Sequence, residues 1–213
     1  MKKIIFFLLI ITTVFMLDAV EITFRYFDGT IITRQYDPNT EMLRFTLGTG
    51  RNIVEILGLE QFKNLRELWL GMTAFMESYD FLKKLTTLEV LVFQDIYFSN
   101  IDFIYSLSSL RKLVFQNCRV NSKIDASRLP YLEYFEFTNS QLNEFPIKIV
   151  EKRNINTINI AFNNITFIPV ADYKCILIIA TGNPISDTGN PNIITSGRSF
   201  FHTVPERYRR FVR

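Results

Sequence analysis

The side chains that could carry out chemistry are few and widely spaced in this sequence. It contains a single histidine, His202, with no second ionisable partner at a spacing typical of a catalytic site. A Ser-His-Asp arrangement and a multi-histidine metal site are therefore both disfavoured. No glycine-rich phosphate loop, paired-carboxylate site or CxxC motif is present. The sequence predicts no catalytic residue, no metal site and no cofactor, and His202 is expected to be a packed or surface residue.

The two cysteines, Cys118 and Cys175, could form a disulfide if the chain is exported. Whether they can meet depends on the elements that carry them. Composition alone does not identify those elements: 48% apolar and 21% charged residues are typical of one ordinary globular domain. The 21 Phe and single Trp predict an aromatic-rich core, and the formal charge of +3 gives no nucleic-acid signal.

An internal repeat indicates which segments form the secondary structure. LxxLxL-like segments start at seven residues, spaced by 23, 23, 22, 22, 23 and 20 positions, and we call each start position one. These residues are Met42, Leu65, Leu88, Leu110, Leu132, Ile155 and Cys175. Position four is equally apolar and holds Phe45, Leu68, Leu91, Leu113, Phe135, Ile158 and Ile178. Position six is apolar as well and holds Leu47, Leu70, Phe93, Phe115, Phe137, Ile160 and Ala180.

This pattern resembles the leucine-rich-repeat family, whose consensus continues with Asn or Cys at position nine and an apolar residue at position eleven. Position nine holds Cys118, Asn163 and Asn183, but Gly50, Thr73, Ile96 and Ser140 depart from the consensus. Position eleven is apolar except at Asn52. Repeats of about 22 residues are most similar to the internalin-like subtype, and the resemblance covers about residues 42–190.

The resemblance implies an α/β solenoid, a leucine-rich-repeat horseshoe with about seven short parallel strands on its concave face. Antiparallel pairing between residues 65 and 160 would contradict it. The apolar residues Leu82, Leu85 and Leu88 recur every third residue, which suits a 3₁₀ or short helical segment on the convex side. Three repeats separate the cysteines, or roughly 14 Å at the usual strand spacing, so both are expected to be free and buried.

The ends of such a stack require caps. Residues 20–41 are the expected N-terminal cap, a hairpin with a two-residue Asp28-Gly29 turn. Residues 191–213 are the expected C-terminal cap. Its basic tail carries a local charge of about +4; we expect a solvated cap there, although contact with an anionic lipid or polymer is an alternative. The charged residues of this tail are Arg198, Glu206, Arg207, Arg209, Arg210 and Arg213.

The N-terminus has the order of a secretory signal peptide. Lys2 and Lys3 precede an uncharged segment, residues 4–17, and Ala19 offers a small residue for cleavage. We expect residues 1–19 to be removed and Val20 to begin a chain that is secreted or retained in the cell envelope. The alternative is a buried strand or helix. A membrane span is disfavoured because it needs about 20 apolar residues.

In the resembled architecture, positions three, five, seven and eight leave the core and line the concave sheet, where a partner can contact many repeats. These columns combine apolar and aromatic side chains with a charged rim, the composition of a protein-binding surface. The predicted partner contacts are Glu67, Trp69, Met72, Val90, Val92, Asp95, Lys112, Val114, Tyr134 and Glu136. Alternatively, these residues only favour strands on a solvated sheet, or are covered by a cap or a second copy.

The sequence therefore predicts an exported protein-binding module that engages a protein partner through its concave sheet. A structural cell-envelope protein that binds cell-wall polymer or itself is the alternative. An enzyme is disfavoured because no ionisable constellation is present.

Overall fold

The computed structural model describes residues 19–46, 53–71, 76, 78–149, 155–169, 177–185 and 193–195. These residues form mostly strands, with four short 3₁₀ segments. The strands are β1 (Val20–Tyr26), β2 (Ile31–Tyr36), β3 (Met42–Thr46), β4 (Ile53–Leu57), β5 (Glu67–Gly71), β6 (Val90–Gln94), β7 (Tyr97–Phe98), β8 (Lys112–Gln116), β9 (Arg119–Val120), β10 (Ile124–Asp125), β11 (Tyr134–Thr138), β12 (Ile147–Lys148), β13 (Thr157–Asn159), β14 (Leu177–Ile179) and β15 (Ile193–Ile194). The 3₁₀ segments are Leu59–Gln61, Asp80–Lys84, Asp102–Ser106 and Ala126–Arg128.

Eight of these strands form one parallel sheet in the order β15-β14-β13-β11-β8-β6-β5-β3. The pairs described between residues 65 and 160 are all parallel, as predicted. The expected number of about seven strands is one too low. Ile193–Ile194, which lies within the predicted C-terminal cap, pairs with β14 and adds the eighth strand.

The strand register matches the predicted repeat from the second repeat onward and departs from it in the first. Leu68, Leu91 and Leu113 lie side by side at position four, as expected. In the first repeat, however, Leu43 and not Phe45 pairs with Leu68, so this repeat begins two residues earlier than predicted. Met42 is consequently 47% exposed instead of lying inside. A shift of two residues keeps every side chain on its own face, so apolar alternation alone could not detect the error.

The inward side chains of the sheet make an aromatic-rich core, as the composition predicts. At position six, Phe93 and Phe115 stack with ring centres 5.4 Å apart, and Phe115 and Phe137 stack at 4.9 Å. These three rings are at most 1% exposed. Neighbouring parallel strands place equivalent side chains next to one another, so a phenylalanine repeated at one position builds a column of rings.

Four of the described return segments are 3₁₀, and the one before β6 shows the hydrogen bonds spanning three residues that the apolar spacing predicts. The amide of Leu82 donates to Tyr79 O at 3.0 Å, that of Leu85 to Leu82 O at 2.9 Å, and that of Leu88 to Leu85 O at 3.0 Å. Leu82, Leu85 and Leu88 are all buried. An i to i+3 pattern aligns every third side chain on one face, so the segment can bury its apolar residues while its backbone stays hydrogen-bonded.

Position nine supplies buried polar groups that tie adjacent repeats together. The Asn163 amide donates to Phe137 O at 2.7 Å and to Ile160 O at 3.0 Å, and its oxygen accepts from Ser140 N at 2.9 Å and Leu142 N at 3.2 Å. These bonds satisfy backbone groups that the turn leaves unpaired.

Cys118 is free and buried at position nine, as predicted. Its amide donates to Ser140 Oγ at 3.0 Å. Burial raises the pKa of the Cys118 thiol to about 12, which makes it a poor nucleophile near neutral pH. Cys175 lies outside the described residues, so the prediction that it is free and buried stays a prediction.

The N-terminal hairpin is present but differs in two respects from its prediction. The Gly29 amide donates to Tyr26 O at 3.0 Å and the Tyr26 amide donates to Thr30 O at 2.9 Å, which gives a three-residue loop instead of two. Gly29 has φ of 82°, the left-handed conformation that such a loop needs at its last residue. In addition, β4 pairs antiparallel with β1 and turns the hairpin into a three-stranded sheet.

Residues 1–18 and 196–213 lie outside the described part, and the predicted signal peptide, except for Ala19, and the basic tail with His202 fall there. No helix among the described residues is long and apolar enough to cross a membrane.

Candidate functional site

The side chains at positions three and five of the eight-stranded sheet point away from the core, and we call this side the outward face. On it, the register aligns Arg44, Trp69, Val92, Val114 and Glu136 in one column. Met42, Glu67, Val90, Lys112 and Tyr134 form the column beside it. With Met42 at position one, position five of the first repeat would be Thr46; the observed register places Arg44 beside Trp69 instead.

The centre of the outward face is a second apolar cluster, separate from the main core. Val92, Val114 and Tyr134 are only 1–2% exposed, and Trp69 and Val90 pack against them and remain partly exposed. β-Branched and aromatic side chains on strands about 4.8 Å apart cover one another. The three buried residues therefore form the floor of this cluster, and Trp69 and Val90 are its accessible part.

Glu136 organises the polar side of the cluster. Its carboxylate accepts hydrogen bonds from Tyr134 Oη at 2.6 Å, from Gln116 Nε2 at 3.1 Å and from Thr138 Oγ1 at 3.1 Å. Burial, reinforced by the Glu136 charge, raises the pKa of Tyr134. Tyr134 therefore stays protonated and donates to Glu136 at all physiological pH values, which holds both side chains in one arrangement.

Trp69 is held from two sides. The Arg44 guanidinium carbon lies 4.1 Å from the centre of the Trp69 ring, and Trp69 Nε1 donates to Glu67 Oε1. Arg44 Nη2 in turn lies 3.5 Å from the same Glu67 oxygen. The guanidinium over the indole ring and the hydrogen bond from the indole N–H fix the orientation of the Trp69 ring. Trp69 would therefore lose little conformational entropy on contact with a partner.

Lys112 lies between the two carboxylates of the outward face. Its Nζ is 5.0 Å from the centre of the Tyr134 ring. Burial lowers the pKa of Lys112, and the charges of Glu136 and Glu67 counteract this. The charges Arg44, Glu67, Lys112 and Glu136 thus alternate in sign around the apolar cluster and leave it close to neutral.

The structure brings together eight of the ten predicted contact residues: Glu67, Trp69, Val90, Val92, Lys112, Val114, Tyr134 and Glu136. Asp95 lies beyond the end of β6 with φ of 58°, and its Oδ1 accepts a hydrogen bond from Asn117 Nδ2 at 2.5 Å. Met72 lies outside the described residues. That these residues contact a partner stays a prediction.

Sequence reasoning missed three members of this site. Arg44 was not among the predicted contacts, because with Met42 at position one it falls at position three, whereas the structure aligns it with Trp69 at position five. Gln116 and Thr138 occupy position seven, which was expected to line the concave sheet, but they were not named among the predicted contacts, although polar residues at that position in neighbouring repeats were a visible signal. All three support predicted contact residues and do not replace them.

The described residues contain no group of three or more His, Cys, Asp or Glu side chains that could hold a metal ion. The polar groups of the outward face are paired donors and acceptors around an apolar centre. Such an arrangement can recognise a surface, and it contains no nucleophile activated by a neighbouring base.

No family model matches the chain and no curated protein matches it. Among solved structures, the crystal structure of an internalin from Listeria monocytogenes is similar at 14% sequence identity, with a TM-score of 0.32, over 79% of this chain and 70% of that one.

Proposed function

We propose that this chain is an exported leucine-rich-repeat protein that binds a protein partner through the outward face of its sheet, the concave face of the solenoid. The repeat spacing, the parallel strands, the 3₁₀ returns and the hydrogen-bonded asparagines at position nine support the repeat family. Each repeat then adds one strand to a single extended surface.

One observation carries the binding proposal: Trp69 is oriented by Arg44 and Glu67 yet remains partly exposed on top of a buried apolar floor. A partly exposed apolar cluster with rigid aromatic and arginine side chains is the composition of a binding hot spot. Because the side chains are already ordered, a partner would lose little of its binding energy to their immobilisation. A solvated sheet face would need none of these contacts.

Site-specific photocrosslinking tests this proposal. Gln94 is exposed on β6 beside the cluster, and Lys84 is exposed on a 3₁₀ return segment. With p-benzoylphenylalanine at Gln94, we expect ultraviolet irradiation of the native cells or their medium to capture one discrete polypeptide. The same probe at Lys84 is the matched control and should not capture it.

Two results would contradict the proposal. Equal capture of many polypeptides at both positions would show that the outward face has no preferred protein partner. Attachment of polysaccharide instead of polypeptide at Gln94 would favour a structural role in the cell envelope.

Export is the second part of the proposal. The first strand begins at Val20, directly after the proposed cleavage site, and Val20 is buried and pairs with Tyr36. We expect Edman sequencing of the protein recovered from its native cells to give Val20 or a residue close to it. Retention of Met1 would contradict cleavage.

A further inference from the structure

Position eight, just beyond the strand, adopts the left-handed backbone conformation in the repeats where the structure describes it. Its φ lies between 51° and 77° in the five described repeats from Asp95 onward. The residues are Asp95, Asn117, Asn139, Phe162 and Gly182. The turn is imposed by the stack: the Asn117 amide donates to Thr138 O at 2.9 Å, and the Phe162 amide donates to Thr181 O at 2.7 Å.

Phe162 is the exception to the chemistry of this turn. Glycine, asparagine and aspartate adopt left-handed φ values readily, whereas a bulky side chain there costs roughly 1–2 kcal/mol. Four of the five turns hold one of the three favoured residues. Phe162 keeps φ of 57° despite this cost.

Burial does not offset the strain at Phe162, because the residue is 59% exposed. Its ring lies against Gly182: a Cβ added at Gly182 would be 2.6 Å from Phe162 Cδ1. The absence of a side chain at Gly182 therefore leaves room for the ring and fixes its position. A strained residue whose ring is nevertheless mostly exposed indicates a functional role.

The surroundings of Phe162 indicate what it contacts. Residues 155–169 and 177–185 contain no charged side chain. Two residues along the chain, Asn164 is exposed, and its Nδ2 donates to Asn143 Oδ1 at 3.0 Å. Amides and an aromatic ring without ionised groups complement an uncharged, partly apolar protein surface.

We propose that Phe162 is a second anchor for the protein partner and inserts into an uncharged apolar patch on it, an inference that rests on the proposed function. Four strand spacings separate β5, which carries Trp69, from β13, which precedes Phe162, or about 19 Å. A standard interface of about 800 Å² per partner is roughly 30 Å across. One partner can therefore contact both aromatics.

The test combines stability with crosslinking in the full chain. Phe162→Asn should raise the urea midpoint of unfolding, because asparagine suits the left-handed turn, and should lower the yield captured by the Gln94 probe about tenfold. p-Benzoylphenylalanine at position 162 should capture the same polypeptide as the Gln94 probe. Phe167 is 71% exposed and has no left-handed φ. Phe167→Asn and p-benzoylphenylalanine at position 167 are therefore the matched controls.

Each alternative result has a defined meaning. A lower urea midpoint for Phe162→Asn would show that the ring is structural and overturn the inference. Capture at Gln94 but not at position 162, or undiminished Gln94 capture in Phe162→Asn, would overturn this inference alone. No capture at either position would overturn the proposed function and, with it, this inference.

Discussion

The two faces of the eight-stranded sheet are both buried at their centres, but they differ in what covers them. The inward face carries a continuous column of phenylalanines that pack against the return segments. The outward face carries a small cluster of Val92, Val114 and Tyr134 that is bounded by charged residues. The inward face therefore forms the main core. The outward cluster is separate from that core and contributes less to the stability of the fold.

The largest expected effect on stability comes from comparing two neighbouring residues of β8 that lie on opposite faces. Phe115→Ala should lower the free energy of unfolding by about 3–5 kcal/mol through a cavity in the aromatic column. Val114→Ala, on the outward face, should cost about 1.5 kcal/mol for the apolar groups lost. Urea denaturation measures both. Equal losses would show that the outward cluster is part of the core.

Asn163 and Asn164 offer a comparison of a buried and an exposed amide. Asn163→Ala should cost about 2–3 kcal/mol, because it leaves buried backbone groups of two repeats without partners. Asn164→Ala removes one exposed bond and should change stability by less than about 0.5 kcal/mol. Denaturation of the two variants side by side checks this. A similar loss in both variants would mean that the position-nine bonds do not hold the repeats together.

Alkaline pH should destabilise the fold, because Cys118, beyond the end of β8, and Tyr134, on the outward face, are both buried in their neutral forms. The pKa of Cys118 is raised from 9.0 to about 12, and the pKa of Tyr134 is raised as well, by burial and Glu136. A raised folded-state pKa stabilises the fold fully below the unfolded value, and this contribution is lost as pH rises. We expect the unfolding free energy to fall between about pH 9 and pH 12. Cys118→Ala should reduce that slope, and an unchanged slope would contradict the burial of the thiol.

The smallest effect is expected at position two, along one edge of the outward face. Glu41, Arg66, Glu89, Arg111 and Glu133 alternate in charge across adjacent repeats. Arg66 pairs with Glu89, and Arg111 pairs with Glu133. These pairs are partly exposed, so Arg111→Ala should cost about 0.5 kcal/mol at low salt and less in high salt. A loss above about 2 kcal/mol that salt does not change would show that Arg111 is a packing residue.

The inward face could be predicted from the sequence because its signal is repeated: positions four and six are apolar in every repeat from Leu65 onward. The first repeat could not be aligned, since Leu43 and Phe45 alternate just as well in either of two registers. In the observed register, Phe45 contacts the N-terminal cap: its ring centre lies 5.0 Å from that of Phe24. That long-range contact leaves no local signal.

The outward face was harder to predict. Its residues were identified, but the burial of Val92, Val114 and Tyr134 was not, because it depends on how neighbouring strands cover one another. Position eight was interpreted as a contact column. Its Asp and Asn residues instead have a conformational explanation in the left-handed turn, which leaves Phe162 as the residue to explain.

The most direct test of the binding proposal compares Trp69 and Leu70, adjacent residues of β5 that point to opposite faces. The measurement is the unfolding free energy and the Gln94 crosslinking yield of Trp69→Ala and Leu70→Ala. Leu70→Ala should lose roughly 2–5 kcal/mol of stability. Trp69→Ala should lose only about 1 kcal/mol of stability but weaken partner binding by about 2 kcal/mol or more, the level of a hot spot. A folded Trp69→Ala protein that captures its partner with undiminished yield, or one as unstable as Leu70→Ala, would contradict the proposal.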